Sequence, residues 1–261
     1  MSYPYKCVVV VGATAGIGAA MADRFVHEGA KVVAVGRRQD RLDSFVEKHG
    51  SAKASAIRYD VTDRAGMNAF VNGVMTEYPQ VDCILLNSGI QAPHALSNPE
   101  KVDLDVFHRE IDTNFSSIVN LSMTFLPHLL KKQTPTALMV TGTHLSLIPA
   151  VTLPAYSASK AALKAFFDCL RRQNHGTQVK FIEILPPMVQ TELHDYMGEE
   201  RGRALGMPVD EFVDQTFEQL SREKEEISIG AIGAVAREPY IALLETRRTM
   251  FETLSDVIQS R

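Results

Sequence analysis

Seven short runs rich in Val, Ile and Leu alternate with segments of helical period, and this alternation constrains the fold more than any other feature. The runs are Cys7–Val11, Lys31–Val35, Ala54–Tyr59, Asp82–Asn87, Thr136–Thr141, Val179–Ile184 and Glu226–Ile229. Strands that are apolar on both faces indicate a parallel sheet covered on both sides. Right-handed crossovers then produce a doubly wound sheet. The sequence therefore predicts an α/β fold with a parallel seven-stranded sheet and helices on both faces.

The last third of the chain departs from this alternation. An insertion at about 192–225 begins with a charged, glycine-containing stretch and continues into a segment with apolar residues on one helical face. Those apolar residues are Phe212, Val213, Phe217 and Leu220. A C-terminal helix is expected at about 239–259. No internal repeat or linker interrupts the chain, so we expect residues 1–261 to form one domain.

Composition excludes several classes of function. The formal net charge is −4 and the pI about 6.1, which does not suit a nucleic-acid partner, because a phosphate backbone requires a basic surface. No apolar stretch approaches the roughly 20 residues that span a bilayer. The eight histidines show no spacing typical of a metal site, and the three cysteines form no CxxC pair. We therefore expect a cytoplasmic protein that binds neither metal, membrane nor nucleic acid.

A glycine-rich turn follows the first run, at the junction between a strand and a helix. Its glycines have the spacing GxxxGxG, at Gly12, Gly16 and Gly18. Gly12 permits a tight turn, Gly16 lets the backbone approach a pyrophosphate at the helix N-terminus, and Gly18 allows the helix to pack closely on the strand. The predicted cofactor-binding residues of this turn are Gly12, Thr14, Ala15, Gly16, Ile17 and Gly18.

The end of the second run indicates which dinucleotide is bound. Where NAD-binding folds carry an acid for the ribose 2′-hydroxyl, this chain has Gly36, followed by Arg37 and Arg38. A guanidinium group complements a 2′-phosphate, and no carboxylate is present there to repel it. The pair therefore predicts NADP(H); the alternative is two solvated loop arginines.

Further candidates lie at the carboxyl ends of the next two strands, where the crevice of such a sheet must lie. Asp60 and Val61 follow the third run, and an aspartate there can accept a hydrogen bond from the adenine amino group. Asn87, Ser88 and Gly89 follow the fourth run. Asn87 is equally well explained as a loop cap.

The catalytic candidates are Tyr156 and Lys160, four residues apart at the start of a predicted helix and hence on one face of it. A free tyrosine titrates near about 10. A neighbouring ammonium group favours the phenolate, so Lys160 is expected to lower the pKa of Tyr156 toward the working pH.

Taken together, these patterns resemble the short-chain dehydrogenase/reductase family, from the first strand to about Thr191. The family pattern TGxxxGIG corresponds to residues 11–18, NNAG to 86–89 and YxxxK to 156–160. The resemblance implies a Rossmann-like sheet and assigns Asn114 to the catalytic set. It also assigns Pro186, Val189 and Thr191 to the cofactor site.

One catalytic position departs from the family pattern. The family's serine lies about 13 positions before the tyrosine, and 156 − 13 = 143 is Thr143 in this chain. Threonine keeps the hydroxyl but adds a methyl group. Ser146 is the alternative.

The resemblance implies hydride transfer between NADP(H) and a small carbonyl or alcohol substrate, that is, a carbonyl reductase or alcohol dehydrogenase. Tyr156 would exchange the proton, Thr143 would polarise the carbonyl oxygen, Lys160 would bind the nicotinamide ribose, and Asn114 would hold a water of a proton relay. The alternative is an NADP(H)-binding regulatory protein with little turnover.

The resemblance also implies assembly through the long helix near Asn114 and the helix that starts at Tyr156. We expect a homodimer rather than the tetramer formed by some members of the family, because the chain continues past Gly230 into a helix. Both helices carry apolar residues in excess of one face, and these are Leu121, Phe125, Leu129, Phe166, Phe167 and Leu170.

Overall fold

The computed structural model describes residues 4–233 and 235–259, and its centre is a seven-stranded, all-parallel sheet. The strands are β1 (Cys7–Val11), β2 (Lys31–Gly36), β3 (Ala54–Arg58), β4 (Cys83–Leu86), β5 (Thr136–Thr141), β6 (Val179–Leu185) and β7 (Glu226–Ser228). Their order is β3-β2-β1-β4-β5-β6-β7. Each strand falls on one of the seven predicted runs, and their ends differ from the predicted ends by a residue at most.

The helices alternate with the strands up to β6. They are α1 (Gly16–His27), α2 (Gln39–His49), α3 (Met67–Glu77), α4 (Leu104–Ile111), α5 (Ser117–Leu130), α6 (Pro154–Gln173), α7 (Glu199–Ala204), α8 (Val209–Ser221) and α9 (Arg237–Gln259). A π-helical turn, Asp112–Ser116, joins α4 to α5, and 3-10 turns occupy His144–Ser146 and Glu192–Met197.

Two apolar cores lie on opposite faces of the sheet. Val8 and Val10 of β1 face α1, α2 and α8, whereas Val9 and Val11 face α3, α5 and α6. All four valines are fully buried, as expected for a strand covered on both faces. The Rossmann-like, doubly wound sheet predicted from the sequence is thereby confirmed.

Strand order reverses direction at β1, which pairs with β2 on one side and with β4 on the other. A doubly wound sheet leaves a crevice at such a switch point, at the carboxyl ends of its strands. This geometry places the loops after β1, β2 and β4 around one opening.

The late segment contains the helices α7, α8 and α9. The apolar residues expected on one helical face are buried on α8. The last helix begins at Arg237, two residues before the predicted start at 239, because Pro239 is tolerated in the first turn of a helix. Within the described part of the chain, no helix has the length and apolar character needed to cross a membrane.

Buried ion pairs connect α9 to the sheet. The Lys164 ammonium donates to Asp168 at 3.1 Å and to Glu183 at 2.8 Å, and it also pairs with Glu226 of β7. Arg247 of α9 pairs with the other Asp168 oxygen. The cluster therefore joins α6, β6, β7 and α9 by ion pairs.

Candidate active site

A cavity of about 690 Å³ opens at the carboxyl ends of the strands, at the predicted switch point. Most residues predicted from the sequence to form the site line it. They are Gly12, Thr14, Ala15, Gly16, Ile17, Arg37, Arg38, Asp60, Val61, Asn87, Ser88, Gly89, Thr143, Tyr156, Lys160, Pro186, Val189 and Thr191. The predicted residues Gly18 and Asn114 are not in the lining, and both lie behind it.

The glycine turn has the geometry that its spacing predicts. Gly12 and Gly16 have φ angles of 89° and 53°, a region that favours glycine. A β-carbon on Gly18 would lie 2.0 Å from the Gly12 carbonyl oxygen, so Gly18 lets α1 pack against the turn. In the described structure no side chain caps α1 at Ala15. The first amides of α1 therefore lack a side-chain cap at the cavity, where they suit an anion.

The two arginines after β2 have different surroundings. Arg38 donates to Oγ1 of Thr14 at 3.2 Å and to a carboxylate oxygen of Glu192 at 2.7 Å. The Arg37 side chain is 66% exposed, and its guanidinium lies 3.9 Å from Asp60.

Gly36 packs against the side chain of Thr14, directly before these arginines. A β-carbon there would lie 2.5 Å from Cγ2 of Thr14, so a larger residue would require the Thr14 side chain to move. Packing thus reinforces the inference drawn from the missing carboxylate.

Asn87 holds strand ends together. Its amide nitrogen donates to the Gly12 carbonyl at 3.2 Å, and its amide oxygen accepts from Oγ1 of Thr141 at 2.8 Å. Both ends of the amide bind protein groups, which favours the loop-cap interpretation of this side chain. Asn87 still lines the cavity together with Ser88 and Gly89.

The structure brings Thr143, Tyr156 and Lys160 together at one end of the cavity, and all three are buried. The Lys160 ammonium donates to the Thr141 carbonyl at 2.7 Å and lies 5.7 Å from the centre of the Tyr156 ring. Burial lowers the pKa of Lys160 to about 8. The Lys160 ammonium therefore releases its proton close to neutral pH, which suits a residue that exchanges protons.

Tyr156 does not have the lowered pKa expected from its neighbour. Burial raises the pKa of Tyr156, the Glu110 carboxylate adds to the rise, and the hydrogen bond with Thr143 lowers it in part. The expectation that Lys160 lowers this pKa is wrong, because desolvation of the buried phenolate is the largest effect on it. Tyr156 therefore keeps its proton.

Asn114 lies in the π-helical turn, the type of helix irregularity that is frequent at functional sites. Its amide exchanges two 2.8 Å hydrogen bonds with the backbone of Ile90 and donates to Ser159 at 3.2 Å. A β-carbon on Gly89 would lie 3.4 Å from the Asn114 oxygen and 3.9 Å from the Lys160 nitrogen. Asn114 thus fixes the loop after β4 close to Lys160.

The alternative hydroxyl, Ser146, is used within the protein. It is buried and donates to the Thr143 carbonyl at 2.7 Å. This contact favours Thr143 over Ser146 as the hydroxyl that faces the cavity.

A buried pair that the sequence patterns do not reveal supports the loop after β4. Glu110 accepts from the Ala92 amide at 2.9 Å and lies 2.8 Å from Nε2 of His94. His94 also donates from its backbone to Thr152. A lone Glu and a lone His carry no spacing signal, so this support was not predictable from the sequence.

The segment after β6 covers the opposite side of the cavity. Gln91 donates to the Tyr196 hydroxyl at 3.0 Å and lies 3.5 Å from Nδ1 of His194. Leu145 and Met188 line the same cavity, which makes the substrate end partly apolar.

Comparison with known proteins agrees with this geometry. The sequence profile described as short chain dehydrogenase matches residues 6–202. The uncharacterized oxidoreductase DltE of Bacillus subtilis is 32% identical over 253 residues, which are 95% of this chain and 99% of that protein. The chain therefore belongs to the short-chain dehydrogenase family, a family of oxidoreductases.

Two further similarities concern more distant proteins. The NADP-dependent 3-hydroxy acid dehydrogenase YdfG of Escherichia coli is 30% identical over 182 residues, 70% of this chain and 72% of that protein. A short-chain dehydrogenase from Sphingobium yanoikuyae, solved in complex with NADPH, superposes with a TM-score of 0.79 at 23% identity and covers 95% of both chains. At that identity the superposition supports the fold alone.

Proposed function

We propose that this protein is an NADP(H)-dependent oxidoreductase that interconverts a ketone or aldehyde with an alcohol, with Tyr156 as general acid and base. The observation that carries the proposal is the buried group of Tyr156, Thr143 and Lys160 at the end of a cavity whose other wall is the glycine turn. Such an arrangement places a proton donor, a second hydroxyl and an ammonium within reach of one bound molecule.

The residues present fit a phosphorylated dinucleotide. The uncapped N-terminus of α1 suits the pyrophosphate, and the exposed guanidinium of Arg37 suits a 2′-phosphate. The relative YdfG is described as NADP-dependent, and the Sphingobium yanoikuyae enzyme was solved with NADPH. We assign the carboxamide end of the cofactor to Thr191 and the backbone near Val189, with Pro186 beside them.

When bound, NADPH supplies the hydride for reduction of the carbonyl carbon. Tyr156 then donates its phenolic proton to the oxygen on which negative charge develops, and its raised pKa ensures that the proton is present at neutral pH. Thr143 donates a hydrogen bond to the same oxygen and stabilises the charge. In the oxidative direction, Tyr156 first passes its phenolic proton to neutral Lys160 and then takes the proton from the alcohol.

Lys160 returns the proton to Tyr156 and would hold the nicotinamide ribose. Its lowered pKa of about 8 allows it to take up and release a proton near neutrality. Both ends of the Asn114 amide bind Ile90, so Asn114 acts mainly by holding the loop that faces Lys160. A water on the Asn114 side would complete the relay to solvent.

The decisive experiment measures NADPH oxidation against a panel of ketones and aldehydes, for the wild type and for Tyr156→Phe. We expect wild-type turnover and a loss of roughly 10²- to 10⁴-fold in the variant, because only the acid–base group is removed. NADPH binding and the thermal midpoint should stay close to the wild-type values.

Two results would contradict the proposal. Turnover of Tyr156→Phe within a few-fold of the wild type would remove Tyr156 from the mechanism. NADPH binding by the wild type without turnover of any carbonyl would instead favour a regulatory protein that senses NADP(H).

A further inference from the structure

Side chains from three parts of the chain meet at the wall of the cavity: the glycine turn, the loop after β2 with the start of α2, and the segment after β6. Glu192, at the start of the 3-10 turn after Thr191, lies 2.7 Å from Nη1 of Arg38 and 3.5 Å from Nη2 of Arg41. Arg38 also donates through Nε and Nη2 to Oγ1 of Thr14 in the glycine turn. We call Thr14, Arg38, Arg41 and Glu192 the clasp.

The clasp places the Glu192 carboxylate on arginines of a loop that is expected to bind a phosphate. Guanidinium groups bind carboxylates and phosphates through the same paired N–H donors. Arg38 follows Arg37 directly, in the loop to which we assign the 2′-phosphate of NADP(H). Within the described residues, Arg37 forms an ion pair only with Asp60, at 3.9 Å. Arg38 and Arg41 share Glu192.

We propose that Glu192 is an internal competitor of the 2′-phosphate and a determinant of cofactor selectivity. This inference rests on the proposed dependence on NADP(H). Binding of a 2′-phosphate to Arg38 requires that the Glu192 carboxylate leave it, since two anions on one guanidinium repel each other. NADH carries a hydroxyl at that position and leaves the clasp closed. The clasp therefore weakens NADPH binding selectively.

The size of the effect follows from the exposure of the pair. The side chains of Arg38 and Glu192 are 43% and 30% exposed, so solvent screens their attraction. Release of such a pair, together with removal of its repulsion on the phosphate, corresponds to a change of about threefold to tenfold in affinity. Glutamine at position 192 keeps the size of the side chain and removes only the charge.

The test is direct titration of Glu192→Gln with NADPH and with NADH, by nucleotide fluorescence in a low-salt buffer free of phosphate. We expect NADPH to bind about threefold to tenfold more tightly than to the wild type and NADH to bind equally well. Glu199→Gln is the matched control, because Glu199 lies in the same segment and pairs with Arg203 at 3.6 Å. Its affinity for both nucleotides should be unchanged.

A second background tests whether Glu192 acts through Arg38. Glu192→Gln should lose most of its effect on NADPH in a protein that already carries Arg38→Ala. An effect of equal size in both backgrounds, or equal tightening of NADPH and NADH, would overturn the inference.

Failure of the proposed cofactor preference has a different signature. A wild type that binds NADPH and NADH equally, with no effect of Arg37→Ala on either, would reject the NADP(H) assignment and the clasp with it. A wild type that prefers NADPH through Arg37, but is unaffected by Glu192→Gln, would reject the clasp alone.

Discussion

At the scale of single residues, Thr143 is the catalytic position at which the chain departs from the family pattern. Its hydroxyl accepts from the Leu145 amide at 3.3 Å and hydrogen-bonds with Tyr156, so the additional methyl group has not removed it from the site. The hydroxyl can therefore serve the substrate oxygen as a serine would.

We expect Thr143→Val to lower kcat/KM by roughly 10²- to 10³-fold, because valine keeps the shape and deletes the donor. Thr143→Ser should remain active. Steady-state kinetics with the carbonyl identified in the panel would check both. Ser146→Ala is the control and should be nearly neutral for kcat; the reverse order of effects would exchange the two roles.

The residues of the candidate site could be predicted where a short sequence pattern contains them. The glycine turn and the pair of Tyr156 and Lys160 follow from spacing within a few residues. The contact between Arg38 and Glu192 joins positions 154 residues apart, and no periodicity links them. The pKa of Tyr156 was mispredicted for a related reason, because spacing gives the neighbour but not the depth of burial.

At the scale of elements, His144 couples the loop after β5 to the C-terminal helix. Its ring lies 4.6 Å from that of Tyr240 on α9, and its Nε2 is 3.0 Å from the Ser228 hydroxyl. Burial, with a contribution from the positive charge of Arg237, lowers the pKa of His144 from 6.5 to about 4. The folded state thus holds this histidine neutral over a range in which the unfolded chain binds a proton.

We expect this histidine to make stability depend on pH. Because the unfolded state binds more protons between pH 6.5 and 4, the free energy of unfolding falls as the pH decreases through that window, by roughly 3 kcal/mol at most. Above pH 6.5 the contribution is fully present. Urea unfolding of the wild type and of His144→Gln at several pH values would measure it.

The variant should show a flatter dependence over that window. The exposed His27 supplies the control, and His27→Gln should retain the wild-type slope. Equal slopes for the wild type and His144→Gln would show that protonation of His144 is not what destabilises the fold in acid.

Element positions were more predictable than their mutual contacts. Alternation of apolar runs located all seven strands, since a strand buried on both faces has almost no polar positions to obscure it. The 3-10 turn at Glu192–Met197 and the short helix α7 carried no such periodicity, and they appear only in the structure. The two pack against each other, and a β-carbon on Gly202 of α7 would lie 2.4 Å from the His194 carbonyl oxygen of the turn.

At the scale of the whole molecule, the residues used to predict a dimer have another role. Leu121, Phe125 and Leu129 of α5 are fully buried, and Phe167 and Leu170 of α6 are buried with them in the core beneath the sheet. These apolar side chains therefore pack in the core of the monomer and are not left exposed for an interface. The homodimer remains a prediction that rests on family resemblance.

Light scattering at micromolar concentration is expected to show a dimer. On α5, Met123 is 51% exposed, and Met123→Glu should shift the protein toward monomer by placing a charge in the interface. Met250 on α9 is 68% exposed and provides the matched control in Met250→Glu. Monomer alone in the wild type would contradict the dimer, and dissociation only by Met250→Glu would place the interface on α9.

The position of β1 has a consequence for biosynthesis. This strand leaves the ribosome before the other six described strands, yet it lies between β2 and β4, and Val8 pairs with Cys83, which is 83 − 8 = 75 residues later. At typical translation rates that interval lasts roughly 4 to 15 s. During it, a run of four valines has one unpaired edge, the type of segment that nucleates aggregation. A slow stretch of translation before residue 83 would therefore lengthen the exposure of this edge and favour aggregation of the nascent chain.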